Sequence, residues 1–388
     1  MFTRQDHGRG AEAPGVTRTH YRASARRLRG AAMGILCAAA SLLPLLFVGA
    51  PAAQADVWAI HLALAPGWSP YGGSPVGATL DGGIVHLWGA ITTSGTNPAA
   101  FTLPPEFRPA SNVFVPVDMC HGTNGRLDIF PNGTVNVEAE PGGWGNAQCF
   151  TSLDGAWFVE APDPWTSGGS GQIPLSLQPG WTGGPHGTAA PQMESINGIV
   201  YFSGAIATNG TNQLAFTLPV GWRPLTNVYV KVDLCGGTNG RLHIRPDGNV
   251  YVYAEGAWYT AQCLTSLDGA SFDENGAAYS NPAPLGLVNG WTGGPYGTAP
   301  PEAELFGNWV VLKGAIATKG TNPVAFTLPD WALPYRNVFV PVDMCNGTNG
   351  RLDISPNGTV AVEAEGGAWG NAQCFTSLDG VSFAQEVF

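Results

Sequence analysis

Residues 112–138 read NVFVPVDMCHGTNGRLDIFPNGTVNVE, and this stretch decides the fold. Its first part alternates apolar side chains with others, which predicts a half-buried β-strand because successive side chains of a strand point to opposite faces. Pro116 lies inside that strand and cannot donate a backbone hydrogen bond, so we expect an edge strand or a bulge there. Asn132 and Gly133 both tolerate the positive φ of a tight turn, which predicts a β-hairpin between the next two strands.

The same stretch occurs three times in the chain. It begins again at Asn227 and at Asn337, so the period is 115 and then 110 residues. A period of this length indicates three whole domains, since solenoid repeats that cannot fold alone span only about 20–50 residues. The predicted boundaries are a signal peptide at 1–55, β-sandwich repeats at 56–160, 174–273 and 285–388, and linkers rich in small residues and proline at 161–173 and 274–284.

Two cysteines lie in each repeat, 28 or 29 residues apart. Six cysteines allow fifteen pairings, but three equivalent domains that each close their own pair select one of them. Zinc binding is the alternative, and the spacing lacks the C-x-x-C pairs and partner histidines that it requires. The predicted disulfides are Cys120–Cys149, Cys235–Cys263 and Cys345–Cys374.

The composition agrees with a turn-rich β protein. Glycine and proline number 54 and 32, while charged residues make up only 12% of the chain and hydrophobic ones 44%. Disordered chains have the opposite balance of charge and hydrophobicity, and collagen would need glycine at every third position. Outside the N-terminal segment no window shows convincing helical periodicity. The predicted fold class is all-β, with three tandem antiparallel β-sandwich domains that are jelly-roll-like and carry one disulfide each.

The first 55 residues have the pattern of a secretory signal peptide. Several arginines precede an apolar run at 31–49, and Ala53-Gln54-Ala55 forms an A-x-A cleavage signal. An uncleaved membrane anchor is the alternative, because the run approaches spanning length. Cleavage leaves ten basic and 26 acidic residues, a net charge of −16. That balance argues against nucleic acid or an anionic membrane as a partner, and the predicted location is extracellular.

The conserved order of motifs within one repeat is also informative. Gly-Trp at 67–68, FTLP at 101–104, TNGRL at 123–127 and TSLDG at 151–155 resemble the β-sandwich head domains of bacteriophage tail-fibre and baseplate receptor-binding proteins. The resemblance covers about 300 of the 388 residues and implies non-catalytic binding to surface glycans or polymers. Such phage domains usually come one per chain, form trimers and lack signal peptides. Three copies in one exported chain therefore suggest a secreted protein that reuses the module. The trimers of the resembled family add the hypothesis that the three copies pack as an intramolecular pseudo-trimer, and separate domains joined by extended linkers are the alternative.

Aromatic side chains in glycine-rich loops are the predicted ligand contacts, because a flat apolar ring with a polar tip stacks on a sugar face. The packing of the tryptophans into the end of the sandwich is the alternative. The candidates after the hairpin of each repeat are Trp144, Asn146, Trp258, Tyr259, Trp369 and Asn371, and those near the opening Gly-Trp are Tyr71, His186 and Tyr296.

No catalytic, metal or cofactor site is predicted. Glu138 and Glu140 share a strand face as a glycosidase pair would, but the second repeat has Tyr253 in place of the first glutamate. Calcium ligation by the recurring aspartates competes with their bonding to turn N–H groups. We therefore expect a secreted carbohydrate- or polymer-binding protein and no enzyme. The alternatives are a structural protein of the cell surface or matrix, a phage-derived tail-fibre-like protein and, last, a glycoside hydrolase.

Overall fold

The computed structural model describes residues 57–161, 171–274 and 282–385, and each of these three ranges contains one repeat. The predicted signal peptide lies outside the described residues, as does most of both predicted linkers. The described part of the second repeat already enters a strand at Ile173, and that of the third enters one at Ala283.

Repeat 1 consists of eleven short strands and one short helix in its described residues. They are β1 (Trp58–His61), β2 (Trp68–Pro70), β3 (Gly77–Asp81), β4 (Ile84–Trp88), β5 (Ala90–Thr93), β6 (Ala99–Thr102), β7 (Val113–Asp118), β8 (Asn124–Ile129), β9 (Thr134–Ala139), α1 (Trp144–Cys149), β10 (Thr151–Ser152) and β11 (Trp157–Val159).

Repeat 2 has the same order of elements. They are β12 (Ile173–Pro174), β13 (Trp181–Gly183), β14 (Gln192–Ile196), β15 (Ile199–Ser203), β16 (Ala205–Thr208), β17 (Leu214–Thr217), β18 (Val228–Asp233), β19 (Asn239–Ile244), β20 (Asn249–Ala254), α2 (Tyr259–Cys263), β21 (Thr265–Ser266) and β22 (Ser271–Asp273).

Repeat 3 adds one short strand, β24, to this order. Its elements are β23 (Ala283–Pro284), β24 (Gly286–Leu287), β25 (Trp291–Gly293), β26 (Glu302–Phe306), β27 (Trp309–Lys313), β28 (Ala315–Thr318), β29 (Val324–Thr327), β30 (Val338–Asp343), β31 (Asn349–Ile354), β32 (Thr359–Ala364), α3 (Trp369–Cys374), β33 (Thr376–Ser377) and β34 (Ser382–Ala384).

Each repeat folds its strands into three antiparallel sheets around its own core. In repeat 1 the strand orders are β1-β3-β4-β11, β6-β9-β8-β7 and a small sheet β10-β5-β2. Leu87 on β4 and Leu127 on β8 belong to one buried cluster, so the first two sheets sandwich the core. Separate clusters fill the other two repeats. The all-β prediction is confirmed.

The hairpin and the edge strand follow the sequence pattern. Strands β8 and β9 pair antiparallel, and the turn between them closes where the N–H of Gly133 donates to the carbonyl of Phe130 at 2.8 Å. Gly133 has φ 89°, in the left-handed region that favours glycine. Strand β7, which contains Pro116, lies at the end of its sheet, so the proline removes no ladder bond to a further strand.

One local prediction is wrong: the segment after the hairpin is a short α-helix rather than a loop. Helices α1 and α3 span six residues and α2 spans five, which is too short for a hydrophobic period to show in the sequence. Each helix ends at the second cysteine of its repeat, and the predicted pairs Cys120–Cys149, Cys235–Cys263 and Cys345–Cys374 are all formed. The disulfide therefore tethers each helix to its sandwich.

The three repeats contact one another in cyclic order. Their edge strands β7, β18 and β30 lie against each other around a common axis. An arginine of each repeat reaches an aspartate of the next: Arg126 to Asp233 at 3.2 Å, Arg241 to Asp343 at 3.3 Å and Arg351 to Asp118 at 3.2 Å. A serine hydroxyl of each repeat donates at 2.6 Å to a backbone carbonyl of the repeat before it, at Phe114, Tyr229 and Phe339.

Candidate functional site

The three predicted tryptophans at the start of the short helices are anchored by backbone contacts. The indole N–H of Trp144 donates to the carbonyl of Gly95 at 3.0 Å, and Trp258 and Trp369 make the equivalent bond at 2.9 Å. Each ring also stands edge-to-face on the buried opening tryptophan of its repeat, with centroids 6.0–6.2 Å apart. These contacts give the rings a packing role and leave them half-buried.

The neighbouring candidates on the helices differ in exposure. Tyr259 is 67% exposed at the start of α2, whereas Asn146 and Asn371 are half-buried on α1 and α3. In repeat 1 this region borders an open groove of about 390 Å³ lined by Glu138, Glu140 and Trp144 among others. Glu138 contacts Arg126 at 2.5 Å, so this carboxylate is already paired within the groove wall.

The other set of candidates lies at the opposite end of the short helices. Tyr71, His186 and Tyr296 occupy single 3₁₀ turns in glycine-rich loops, and all three are exposed, the tyrosines by 45% and 61%. His186 and Tyr296 both have φ 55°, in the left-handed region that non-glycine residues seldom adopt. The structure therefore separates the predicted residues into two groups, one on the first part of the short helices and one beside the cysteine that ends them.

The exposed group borders the junctions between repeats, and we name each junction a crevice after the two repeats that form it. One repeat contributes an arginine and an aromatic ring to each crevice. The next repeat contributes the exposed tyrosine or histidine of its 3₁₀ turn, its disulfide and an apolar side chain. The 1–2 crevice contains Phe114, Arg126, His186, Cys263 and Leu264; the 2–3 crevice contains Tyr229, Arg241, Tyr296, Cys374 and Phe375; the 3–1 crevice contains Phe339, Arg351, Tyr71, Cys149 and Phe150.

Ring contacts join the two repeats across the 3–1 and 2–3 crevices, whereas in the 1–2 crevice Phe114 packs against Leu264. In the 3–1 crevice, Phe150 lies edge-to-face against both Tyr71 at 4.8 Å and Phe339 at 5.1 Å. In the 2–3 crevice, Phe375 lies between Tyr229 at 5.1 Å and Tyr296 at 5.8 Å in the same way. These two crevices therefore present aromatic faces that both repeats hold in place.

The arginines of two crevices are each surrounded by three carboxylates. Arg126 contacts Asp128 at 2.6 Å, Glu138 at 2.5 Å and Asp233 at 3.2 Å. Arg351 has the equivalent set, with contacts to Asp353, Glu363 and Asp118. Burial raises the pKa of Asp128 to about 6, although Arg126 opposes this shift. Carboxylates of two repeats therefore surround each of these two arginines.

Arg241 in the 2–3 crevice has only one carboxylate contact among the described residues, that with Asp343 at 3.3 Å. Tyr253 pairs directly across the strands from Arg241, where the other repeats have a glutamate, and His243 replaces the aspartate two residues along. The substitution is visible when the repeats are aligned, but only the strand register shows that both positions face the same guanidinium.

This crevice also contains a small cavity of about 130 Å³, lined by Tyr229, Arg241, Tyr296, Cys345, Asn346 and Phe375. At roughly 30 Å³ per water molecule, the volume corresponds to about four waters. Its wall is formed by aromatic faces, one guanidinium and one amide. Such a mixture suits a small ring or a charged substituent of a larger ligand.

On the common axis the three repeats surround one lysine, Lys231, which occupies the slot of Pro116 and Pro341. Its ammonium donates to the side-chain oxygens of Asn124, Asn239 and Asn349, one from each repeat. A lysine has three N–H donors, so the threefold ring of amides satisfies all of them.

The amide nitrogens of the same ring tie the repeats together. Asn124 donates to the carbonyl of Gly237 at 2.6 Å, while Asn239 and Asn349 donate at 2.5 Å to the equivalent glycines of the following repeats.

Three glutamates lie near enough to this lysine to interact with its charge. Burial lowers the pKa of Lys231, and the carboxylates of Glu365, Glu140 and Glu255 oppose that shift. The pKa of Glu365 is raised to about 7, first by burial and then by repulsion from the other two glutamates. The lysine is therefore the counter-charge of a shared acidic ring.

The remaining recurring aspartates bind the backbone. Asp154, Asp268 and Asp379 accept the N–H of the glycine that follows a strand, at 2.8–3.0 Å. His186, Cys235 and Cys263 are the group of potential metal ligands that lie close together in the described ranges, and both of its sulfurs are joined in a disulfide. Without a free thiolate this group has lost the donors that a soft metal prefers.

No family model, curated protein or solved structure matches this chain. Across residues 57–161, 171–274 and 282–385, no helix has the length and apolar character needed to cross a membrane. The three disulfides indicate an oxidising compartment.

Proposed function

We propose that this chain is a secreted, non-catalytic binding protein that recognises cell-surface carbohydrate or an envelope polymer through its three tandem modules. The observation that carries the proposal is the exposed aromatic side chain at each crevice, Tyr71, His186 or Tyr296. All three belong to the single 3₁₀ turn that follows the opening Gly-Trp of each repeat. Tyr71 and Tyr296 contact a buried phenylalanine of the same junction, and His186 lies against Cys263.

Aromatic faces held by a rigid scaffold are suited to bind a sugar ring, because the aromatic side chain loses little conformational entropy when the sugar stacks on it. The disulfide at each crevice adds rigidity: the hydroxyl of Tyr296 is 3.1 Å from the sulfur of Cys374, and a ring nitrogen of His186 is 3.6 Å from that of Cys263. Three weak sites on one body gain avidity on a repeating polymer through effective concentration.

Two features support export. The N-terminal segment has the arginines, the apolar run and the A-x-A triplet of a signal peptide, and the three disulfides require an oxidising compartment to persist.

The second candidate function is that of a structural or interaction protein without a small ligand. The hydrogen bonds of Trp144, Trp258 and Trp369 favour it, because indole groups committed to the backbone have no donor left for a sugar. The resemblance to phage receptor-binding heads favours the first candidate instead, since it implies surface binding.

A glycan array separates the two candidates. The wild-type chain is compared with the triple variant Tyr71→Ala, His186→Ala and Tyr296→Ala, which changes only exposed side chains. Leu225→Ala, at a side chain that is 75% exposed and outside the crevices, is the matched control. We expect the control to keep its signals and the triple variant to bind at least about tenfold more weakly, because loss of about 1.4 kcal/mol of aromatic contact corresponds to a factor of ten.

Two results would contradict the proposal. Failure of the wild-type chain to bind any glycan or envelope polymer would favour the structural role. Glycan binding that the triple variant keeps at full strength would remove the crevices as the site, and loss of binding in Trp144→Phe alone would return it to the groove of repeat 1.

A further inference from the structure

The 2–3 crevice differs from the other two in the side chains that face its arginine. The strand register places Tyr253 opposite Arg241 and His243 on the same face, where repeats 1 and 3 have a glutamate and an aspartate. The other two arginines each have three carboxylate partners and Arg241 has one. Repeat 2 has therefore exchanged two carboxylates for two rings at this point.

The exchange leaves the Nε of Arg241 without the carboxylate that the equivalent arginine of repeat 1 contacts. Its Nη1 contacts Asp343, while the buried Nε of Arg241 has no hydrogen-bond partner among the described residues. In repeat 1 the equivalent Nε and Nη2 atoms are the ones that contact Asp128 and Glu138. The planar fork of an arginine matches two oxygens of one carboxylate, so this edge has the geometry of a carboxylate site without its carboxylate.

The surroundings are neutral and aromatic. Arg241 lies over the rings of Tyr229 at 5.0 Å and Tyr253 at 5.3 Å, and the ring of His243 stacks on that of Tyr229 at 4.4 Å. Burial, with repulsion from Arg241 and Arg245, lowers the pKa of His243 to about 4, so the imidazole is neutral at pH 7. The cavity of about 130 Å³ opens beside this guanidinium, with Tyr296 on its far side.

We propose that the 2–3 crevice is a single acidic-sugar site, in which the Nε and Nη2 edge of Arg241 binds the carboxylate of a uronic acid residue and Tyr229 and Tyr296 contact its ring. The inference rests on the proposed function and adds to it the charge of the ligand and the repeat that selects it. The carboxylates of Asp128 and Glu138 exclude the same ligand from the 1–2 crevice, because they occupy the equivalent edge of Arg126 and would repel an anion.

The test uses trigalacturonic acid and its methyl ester as probes. Their binding is measured by isothermal titration calorimetry and by NMR at near-physiological salt. The ester keeps the sugar rings and loses the charge. We expect one site per chain and at least about tenfold tighter binding of the acid, the factor typical of a charge-assisted hydrogen bond.

The variants come from the chain's own repeats. His243→Asp with Tyr253→Glu restores the carboxylates that repeats 1 and 3 carry, leaves Arg241 in place and should abolish the preference for the acid. Asp128→His with Glu138→Tyr should create a second site, in the 1–2 crevice. Arg241→Gln should lose the acid as well, and an unchanged thermal midpoint in the first variant shows that loss of binding there is not loss of fold.

Three results would overturn the inference: no binding of the acid at millimolar concentration, equal binding of acid and ester, or acid binding that survives His243→Asp with Tyr253→Glu. If neutral glycans still bind on the array in a Tyr296-dependent manner, the proposed function stands and only the acidic specificity fails. If the array shows no glycan while the acid also fails to bind, both fail together.

Discussion

Replacement of Lys231 by methionine removes the ammonium that the three repeats share, and the structure gives the size of the effect. The side-chain oxygens of Asn124, Asn239 and Asn349 all accept from this group. A buried acceptor left without a partner costs about 1–3 kcal/mol. Methionine fills similar volume and removes the cost of burying the charge, so the net loss is about 3–5 kcal/mol, the range for breaking a buried ionic contact from one side.

The loss of folding stability caused by Lys231→Met should grow as the pH rises. The pKa of Glu365 in the folded chain is about 7, raised from 4.5, so the stability that its protonated form contributes is present below pH 4.5 and is lost as the pH rises through 7. Lys231 lowers this pKa, and its removal therefore raises it further. At pH 8 the variant must hold Glu140, Glu255 and Glu365 together without a counter-charge, whereas at pH 5 their protonation relieves the repulsion.

Urea unfolding followed by tryptophan fluorescence at pH 5 and pH 8 measures both effects. Lys319→Met, at an exposed lysine of repeat 3, is the matched control and should stay within about 0.5 kcal/mol of wild type. The reasoning is refuted if Lys231→Met changes stability no more than this control, or if its destabilisation is the same at both pH values.

Two further substitutions probe the junction between repeats 3 and 1, which no linker bridges. Arg336→Ser removes two contacts with the buried Asp154, at 2.8 and 2.5 Å. It should destabilise the chain by about 3 kcal/mol and increase hydrogen exchange at that junction. Arg245→Ser, at a 45% exposed side chain, is the control, and equal effects of the two substitutions would contradict the prediction. Burial lowers the pKa of His86, which stacks on Trp309, to about 3 against 6.5 unfolded, so its contribution is lost as the pH falls below 6.5. Between pH 7 and pH 5 the stability of wild type relative to His86→Gln should fall by about 2 kcal/mol in differential scanning calorimetry. A pH-independent difference would show that His86 is not held neutral.

Local features were predictable because they depend on residues close together in the chain. Period-two alternation identified the strands, Asn132-Gly133 identified a turn that needs positive φ, and Pro116 identified an edge strand. The repetition selected the disulfide pairing. The helices at Trp144–Cys149 and its equivalents were not predicted, because five or six residues carry no measurable period and because a disulfide and a half-buried indole hold them in place.

The candidate residues were predictable in type and only partly in role. Glycine-rich surroundings suggested exposure for both aromatic groups, and this is true of Tyr71, His186 and Tyr296. Trp144 is instead half-buried, because its indole N–H donates to the carbonyl of Gly95, which is 49 residues away in sequence. The environment of Arg241 required the cross-strand register, since Tyr253 is twelve residues away in sequence.

By itself, the sequence determined three disulfide-closed β domains, since alternation, turn chemistry and repetition act within each repeat. The tertiary structure alone decided how the repeats meet. A strand position filled by Pro116, Lys231 and Pro341 reads as an irregularity in the sequence, yet in the fold it is the axis, where one ammonium meets an asparagine from every repeat. Three lysines there would repel one another, so a single chain can place a charge that three identical chains could not. The alternation within a strand records which side chains are buried, but not against which repeat they are buried.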